Sequence, residues 1–144
     1  MAIANLLETL QFYKLRKNQL NFEIIGLQSQ KQLAVASTAD TNSLLSHGKA
    51  ELREQYREMY EESEELQLNY NVYTDIPDFE DAMNMLTARF QDELDNLANW
   101  ENLLNNQITT KDTEIKEIEA YEESVKKTLG ENISEDFNYG GIGG

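Results

Sequence analysis

Hydrophobic residues recur at alternating steps of three and four along the first 36 residues of the chain. They are Ile3, Leu6, Leu10, Tyr13, Leu20, Ile24, Leu27 and Ala34, which we call the first stripe. This spacing returns apolar side chains to one helix face each turn, in the heptad pattern of helices that pack together. We therefore predict a first helix over residues 3–36 that packs lengthwise against another helix.

Two lysines stand where the first stripe would continue, Lys17 and Lys31. A polar residue at such a position costs stability and can fix register or oligomeric state. The alternative is that both lysines lie on an ordinary bundle face with their ammonium groups in water. Further apolar residues lie off the stripe and make the apolar surface wider than a two-helix contact requires. They are Leu7, Phe12, Phe22 and Ile25.

The small polar residues 37–43 form the first predicted break, because such side chains compete for backbone hydrogen bonds and favour helix caps. We expect a second helix over residues 44–70. No proline lies in the break, so one helix running through it stays the alternative. The clearest helix boundary in the sequence is at Pro77. Proline suits the first turn of a helix, so we predict that the third helix begins there.

The third helix is predicted over residues 77–129, about 77 Å at 1.5 Å per residue, against roughly 50 Å and 40 Å for the first two. A kink or break near Asn105 and Asn106, or near Thr109 and Thr110, would shorten it. Its apolar positions continue to its end, where the shorter helices would leave them uncovered. We predict that the third helix ends at Gly130. Residues 131–144 are expected to form a disordered, acidic, glycine-rich tail.

These patterns predict an all-α fold, an elongated antiparallel helical hairpin or three-helix bundle with coiled-coil-like seams and a flexible tail. Residues 1–130 form one helical domain in this interpretation. The apolar positions of the predicted third helix form what we call the third stripe. The candidate interface combines lysines at stripe positions, the end of the third stripe and two aromatic tail residues. Its members are Lys17, Lys31, Lys111, Ile115, Ile118, Tyr121, Val125, Leu129, Phe137 and Tyr139.

Charge is unevenly distributed along the chain, whose formal net charge is −15. Residues 1–50 hold five basic and three acidic residues (+2), and residues 51–144 hold seven basic and 24 acidic residues (−17). This split favours packing of the N-terminal segment against the acidic remainder, within one chain or between chains. A polyanion is repelled by nucleic acid and anionic membranes, so we expect protein partners.

Candidate chemistry is sparse: cysteine is absent and His47 is the single histidine. Histidine triads, zinc sites and paired Glu-x-x-His di-iron motifs therefore lack their residues. We expect no catalytic, metal or cofactor site. No apolar run approaches the ~20 residues that span a bilayer, and the N-terminus lacks a secretory signal pattern. The expected location is the cytoplasm, or outside the cell without a cleaved signal peptide.

The expected function is that of a non-catalytic structural or assembly subunit that acts by protein–protein packing, with copies of itself as the first expected partner. Microbial or phage appendages, secretion apparatus and virions use subunits of this composition. The alternative is a cytoplasmic coiled-coil adaptor or export chaperone that holds another protein. A concentration-dependent homo-oligomer favours the first function, and a monomer or dimer bound to a different protein favours the second.

Overall fold

A computed structural model describes the backbone of residues 2–143 and the side chains of residues 2–135. It contains helix α1 (Ile3–Glu62), helix α2 (Glu64–Asn69), a single 3-10 turn (Tyr73–Asp75) and helix α3 (Pro77–Gly143), with no strand in the described backbone. Helix α1 packs against α3, so the predicted all-α helical hairpin is confirmed.

Residues 37–43 do not break the first helix, because α1 runs through them without interruption. The small polar side chains are accommodated inside the helix. The Thr38 hydroxyl donates to the carbonyl oxygen of Ala34 at 2.9 Å, and Thr41 is buried. The first predicted helix and most of the second are therefore one helix, since residues that favour caps weaken a helix without ending it.

The chain leaves α1 at Ser63, before the end predicted for the second helix at residue 70. Ser63 has an extended backbone and caps α2, its hydroxyl accepting from the Leu66 N–H at 3.2 Å. The side-chain amide of Gln67 donates to the carbonyl oxygens of Tyr60 and Glu61 at 2.9 and 3.0 Å. These side chains thus satisfy backbone groups that the ends of both helices would otherwise leave without partners.

Helix α3 begins at Pro77, as the sequence predicts, with Asp78 and Glu80 in its first turn. Acidic side chains there lie near the positive end of the helix dipole. The 3-10 turn over Tyr73–Asp75 leads into this start. The proline therefore marks the boundary correctly, because its fixed φ suits a first turn and its missing N–H has no partner to lose.

Helix α3 is continuous through both of its predicted break points. The hydroxyl of Thr110 donates to the carbonyl oxygen of Asn106 at 2.9 Å, one turn back in the same helix. The helix also continues past Gly130 to Gly143, so the tail predicted from residue 131 is helical backbone here. A C-terminal glycine cap needs positive φ, and among the described residues no glycine adopts it.

The chain divides into two compact units. The terminal unit comprises Met1–Gln30 and Leu104–Gly144, and the turn unit comprises Lys31–Leu103. In the terminal unit Leu20, Ile115 and Ile118 form a buried cluster, with Tyr13 and Ile24 packed against it.

The turn unit has its own aromatic core. Phe79 is buried, and the rings of Tyr56 and Tyr73 meet it edge-on, with centroids 5.3 and 5.6 Å from that of Phe79. Ile76, one residue before Pro77, is also buried. Through these contacts Phe79 of α3 packs against Tyr56 of α1 and Tyr73 of the 3-10 turn, close to where the chain reverses direction.

Candidate interaction surface

The first stripe faces α3 in the terminal unit, as its spacing predicts. Leu6 and Leu20 are buried, and Tyr13, Ile24 and Leu27 are half-buried. The remaining positions of α1 in this unit are mostly exposed. One narrow face of α1 therefore makes the contact with α3 in the terminal unit.

The end of the third stripe, predicted to be uncovered, lies partly in the intrachain core. Ile115 and Ile118 are each 7% exposed and pack with Leu20. That expectation rested on a third helix much longer than its partners, whereas α1 has 60 residues and α3 has 67. Leu20, Tyr13 and Ile24 of α1 supply the cover, so Ile115 and Ile118 are core residues of the terminal unit.

The other predicted interface residues of α3 lie at the edge of this core or beyond it. Tyr121 stacks on Tyr13 with ring centroids 6.2 Å apart and remains more than half exposed. Val125 and Leu129 are half-buried. The side chains of Phe137 and Tyr139 lie outside the described residues.

Ion pairs cross between the two helices of the terminal unit, as the charge split predicts. They are Arg16–Glu114 at 2.9 Å, Lys17–Glu122, and Lys111–Glu23 at 2.8 Å. Two of the predicted interface lysines, Lys17 and Lys111, are thus engaged within the chain. Lys31, in the turn unit, is half-buried and occupies the same heptad position of α1 as Lys17. The basic N-terminal segment therefore contacts acidic residues of its own chain.

The Lys17–Glu122 pair is the most buried of these, with side chains 25% and 11% exposed. We expect Lys17→Met to lower the free energy of unfolding by about 2–3 kcal/mol, somewhat less than for a fully buried pair, because Glu122 loses its counter-ion. The double variant Lys17→Met/Glu122→Leu should recover most of the loss. Urea denaturation of both single variants and the double variant measures the coupling free energy between the two side chains. A loss of stability in the double variant equal to the sum of the losses in the two single variants would contradict this prediction.

The hydrogen bond from Lys111 lowers the pKa of the Glu23 carboxyl, outweighing partial burial, which raises it. A lowered folded-state pKa gives stability that is present above the ordinary carboxyl pKa and is lost as pH falls through the folded value. We therefore expect Glu23→Gln to destabilise the protein at neutral pH and to approach wild type as pH falls through the folded-state pKa of the carboxyl. Urea denaturation at several pH values measures this difference.

Asp112→Asn is the matched control for Glu23→Gln. Asp112 pairs with Lys116 on the exposed surface of the same helix, with side chains 53% and 74% exposed. Surface pairs of this kind contribute little, so the control should follow wild type at every pH. A Glu23→Gln difference that persists unchanged in acid would contradict the assigned role of the carboxylate.

A second apolar stripe runs along the face of α1 away from α3. It comprises Phe12, Leu15, Gln19, Phe22 and Gly26, with Ile25 beside it, and we call it the outer stripe. Its positions again follow steps of three and four. Phe12, Leu15, Phe22 and Ile25 are 64%, 62%, 78% and 64% exposed. The sequence alone identified Phe12, Phe22 and Ile25 as apolar residues off the first stripe. Leu15 and Gly26 are recognised as part of the outer stripe only from the structure, which shows which face of α1 is buried and which is exposed.

The outer stripe is almost free of charge. Exposed amides border it on one side, at Gln11 and Asn18. Arg16, Lys17 and Glu23 pair with α3. Glu23 borders the stripe, since its carboxylate accepts a hydrogen bond from Gln19 at 3.4 Å, and the exposed Glu8 lies one turn before Phe12 in line with the stripe. At Gly26 an added Cβ would meet nothing within 4 Å, so the space above the helix there is open.

Other candidate chemistry is limited. Among residues 2–135, no group of three or more His, Cys, Asp and Glu side chains is arranged to hold a metal ion. His47 is exposed on α1. The turn unit has an open groove of about 390 Å³ between its two long helices, lined in part by Gly48, Leu52 and Leu86.

Among the described residues, none of the helices contains a hydrophobic stretch of the length that spans a bilayer.

No protein-family model, characterised protein or solved structure matches this chain. The chain is thus defined at the level of fold, as an all-α helical hairpin.

Proposed function

We propose that this protein is a non-catalytic assembly subunit that works by packing its helices against other protein chains, copies of itself first. The outer stripe carries the proposal. The hairpin covers one face of α1 with α3, and the outer stripe leaves four large apolar side chains more than half exposed on another face. Contiguous exposed apolar surface of this kind marks association sites.

The size of the outer stripe supports this function. Each of its four large side chains exposes on the order of 100 Å² or more, so together they offer about 500 Å². That matches the largest apolar patches of monomeric proteins, which are often functional. It is also a substantial part of the ~800 Å² that each partner buries in a stable protein–protein interface.

Sedimentation velocity and light scattering of the purified full chain over a wide concentration range test the proposal. We expect the mass to rise above the 16.6 kDa of a single chain as concentration increases, with unchanged helix content in far-UV circular dichroism. A single-chain mass at every concentration would contradict self-assembly and favour an adaptor or export chaperone that packs against a different protein.

A further inference from the structure

We propose that the outer stripe of α1 packs against the outer stripe of a second copy of this chain, about a two-fold axis near Gln19. The inference rests on the proposed function and deepens it by naming the surface, the partner and the symmetry. A two-fold interface uses the same patch on both copies, so the patch must be complementary to itself. Charge, amide chemistry and shape each meet that requirement.

Charge leaves few other surfaces on which two copies can meet. Each chain carries −15, and residues 51–144 alone carry −17, so acidic faces of two copies repel. Residues 11–28 hold Lys14, Arg16, Lys17 and Glu23, three positive charges and one negative (+2). Most of these are engaged with α3. Contact through the outer stripe therefore brings two polyanions together without placing carboxylates opposite carboxylates.

The amide nearest the axis is complementary to itself. Gln11 and Asn18 are exposed on one side of the stripe, and Asn18 lies one residue from the axis. An amide side chain both donates and accepts hydrogen bonds, so Asn18 can pair with Asn18 of a second copy. Acidic flanks would instead specify a basic partner, and basic flanks an acidic one. The nearly neutral rim thus favours a second copy of this chain over a partner of opposite charge.

Shape also fits a two-fold arrangement. Phe12 and Gly26 lie seven residues, about two helical turns, on either side of Gln19. An axis near Gln19 in an antiparallel pair brings the large Phe12 ring of one copy to the open space at Gly26 of the other. The two apolar stripes together bury about 1,000 Å², and their amide rims bring the total into the ~1,200–2,000 Å² of stable interfaces.

The double variant Phe12→Ser/Phe22→Ser tests the surface. Both rings are largely exposed in the single chain, so helix content should be retained while self-association weakens at least about tenfold. Sedimentation velocity measures the dissociation constant and circular dichroism the helix content. Met85→Ser is the matched control, because Met85 is 74% exposed but lies in the turn unit. It should leave association unchanged.

Cysteine cross-linking tests the symmetry, since the chain has no native cysteine. Under mild oxidation Gln19→Cys should form a disulfide-linked dimer. Thr113→Cys, exposed on α3, should form no disulfide-linked dimer in the same conditions. If the double Phe variant still dimerises and Gln19→Cys forms no disulfide, the outer stripe is not the interface. The proposed assembly function would then remain supported, because the chain still self-associates.

Two further outcomes would also overturn this inference. If the wild-type chain stays monomeric at all concentrations, both the two-fold dimer and self-assembly are contradicted. A monomer that binds phosphatidylcholine vesicles, and loses that binding in the double Phe variant, assigns the outer stripe to a lipid surface instead. Dissociation by the double Phe variant together with specific Gln19→Cys cross-linking supports the two-fold pair.

Discussion

Replacing Phe79 with alanine is expected to lower the free energy of unfolding by about 3–5 kcal/mol. Phe79 is the buried centre of the aromatic cluster in the turn unit, where the ring centroids of Tyr56 and Tyr73 lie 5.3 and 5.6 Å from its own in edge-on contacts. The substitution removes buried apolar area, leaves a cavity and breaks two aromatic pairs, which add about 0.5–1.5 kcal/mol each. Urea denaturation followed by circular dichroism measures the loss.

Phe79→Leu is the matched variant, because it keeps most of the buried volume and loses the ring. We expect it to recover more than half of the stability lost in Phe79→Ala, with the remaining difference reporting the aromatic pairs. Tyr73→Phe, which keeps the ring that meets Phe79, should stay near wild type. Equal losses in Phe79→Leu and Phe79→Ala would show that packing volume at this site contributes little.

Replacing Leu20 with alanine is expected to lower the free energy of unfolding by about 2–5 kcal/mol. Leu20 is fully buried, and it joins Ile115 and Ile118 in the core of the terminal unit. The spread of the estimate reflects how far Tyr13 and Ile24, which pack against that cluster, can move into the cavity. Chemical denaturation monitored by circular dichroism measures the change.

Leu7→Ala is the control for Leu20→Ala. It removes the same atoms from the same helix, but Leu7 is 52% exposed and lies on neither stripe. We expect a change of about 0.5 kcal/mol or less, as for most surface substitutions. Similar losses for the two variants would mean that α1 does not present the first stripe to α3 in the terminal unit.

The outer stripe changes where an association surface is expected on this protein. The sequence alone directed attention to the end of the third stripe, including Ile115 and Ile118, which the fold buries. Burial moves the candidate surface to α1, where Phe12 and Phe22 are exposed. The assembly function remains a proposal, now resting on a different set of residues with its own variants.

The sequence by itself determined the secondary structure class, the inward face of α1 and the start of α3. Helix periodicity survives folding because side chains three and four residues apart share a face whatever they contact. Pro77 fixes a helix start through its own covalent geometry. The opposite charges of the two segments also predicted their pairing, seen in Arg16–Glu114 and Lys17–Glu122.

Only the tertiary structure decided whether the helix broke at residues 37–43 and which apolar residues stayed exposed. Small polar residues disfavour helix by only a few tenths of a kcal/mol each, and α1 continues through them with Thr41 buried. Within the terminal unit, packing on Leu20 buries Ile115 and Ile118. Periodicity finds apolar faces, but the partner helix determines which face is covered, and here it leaves the outer stripe open.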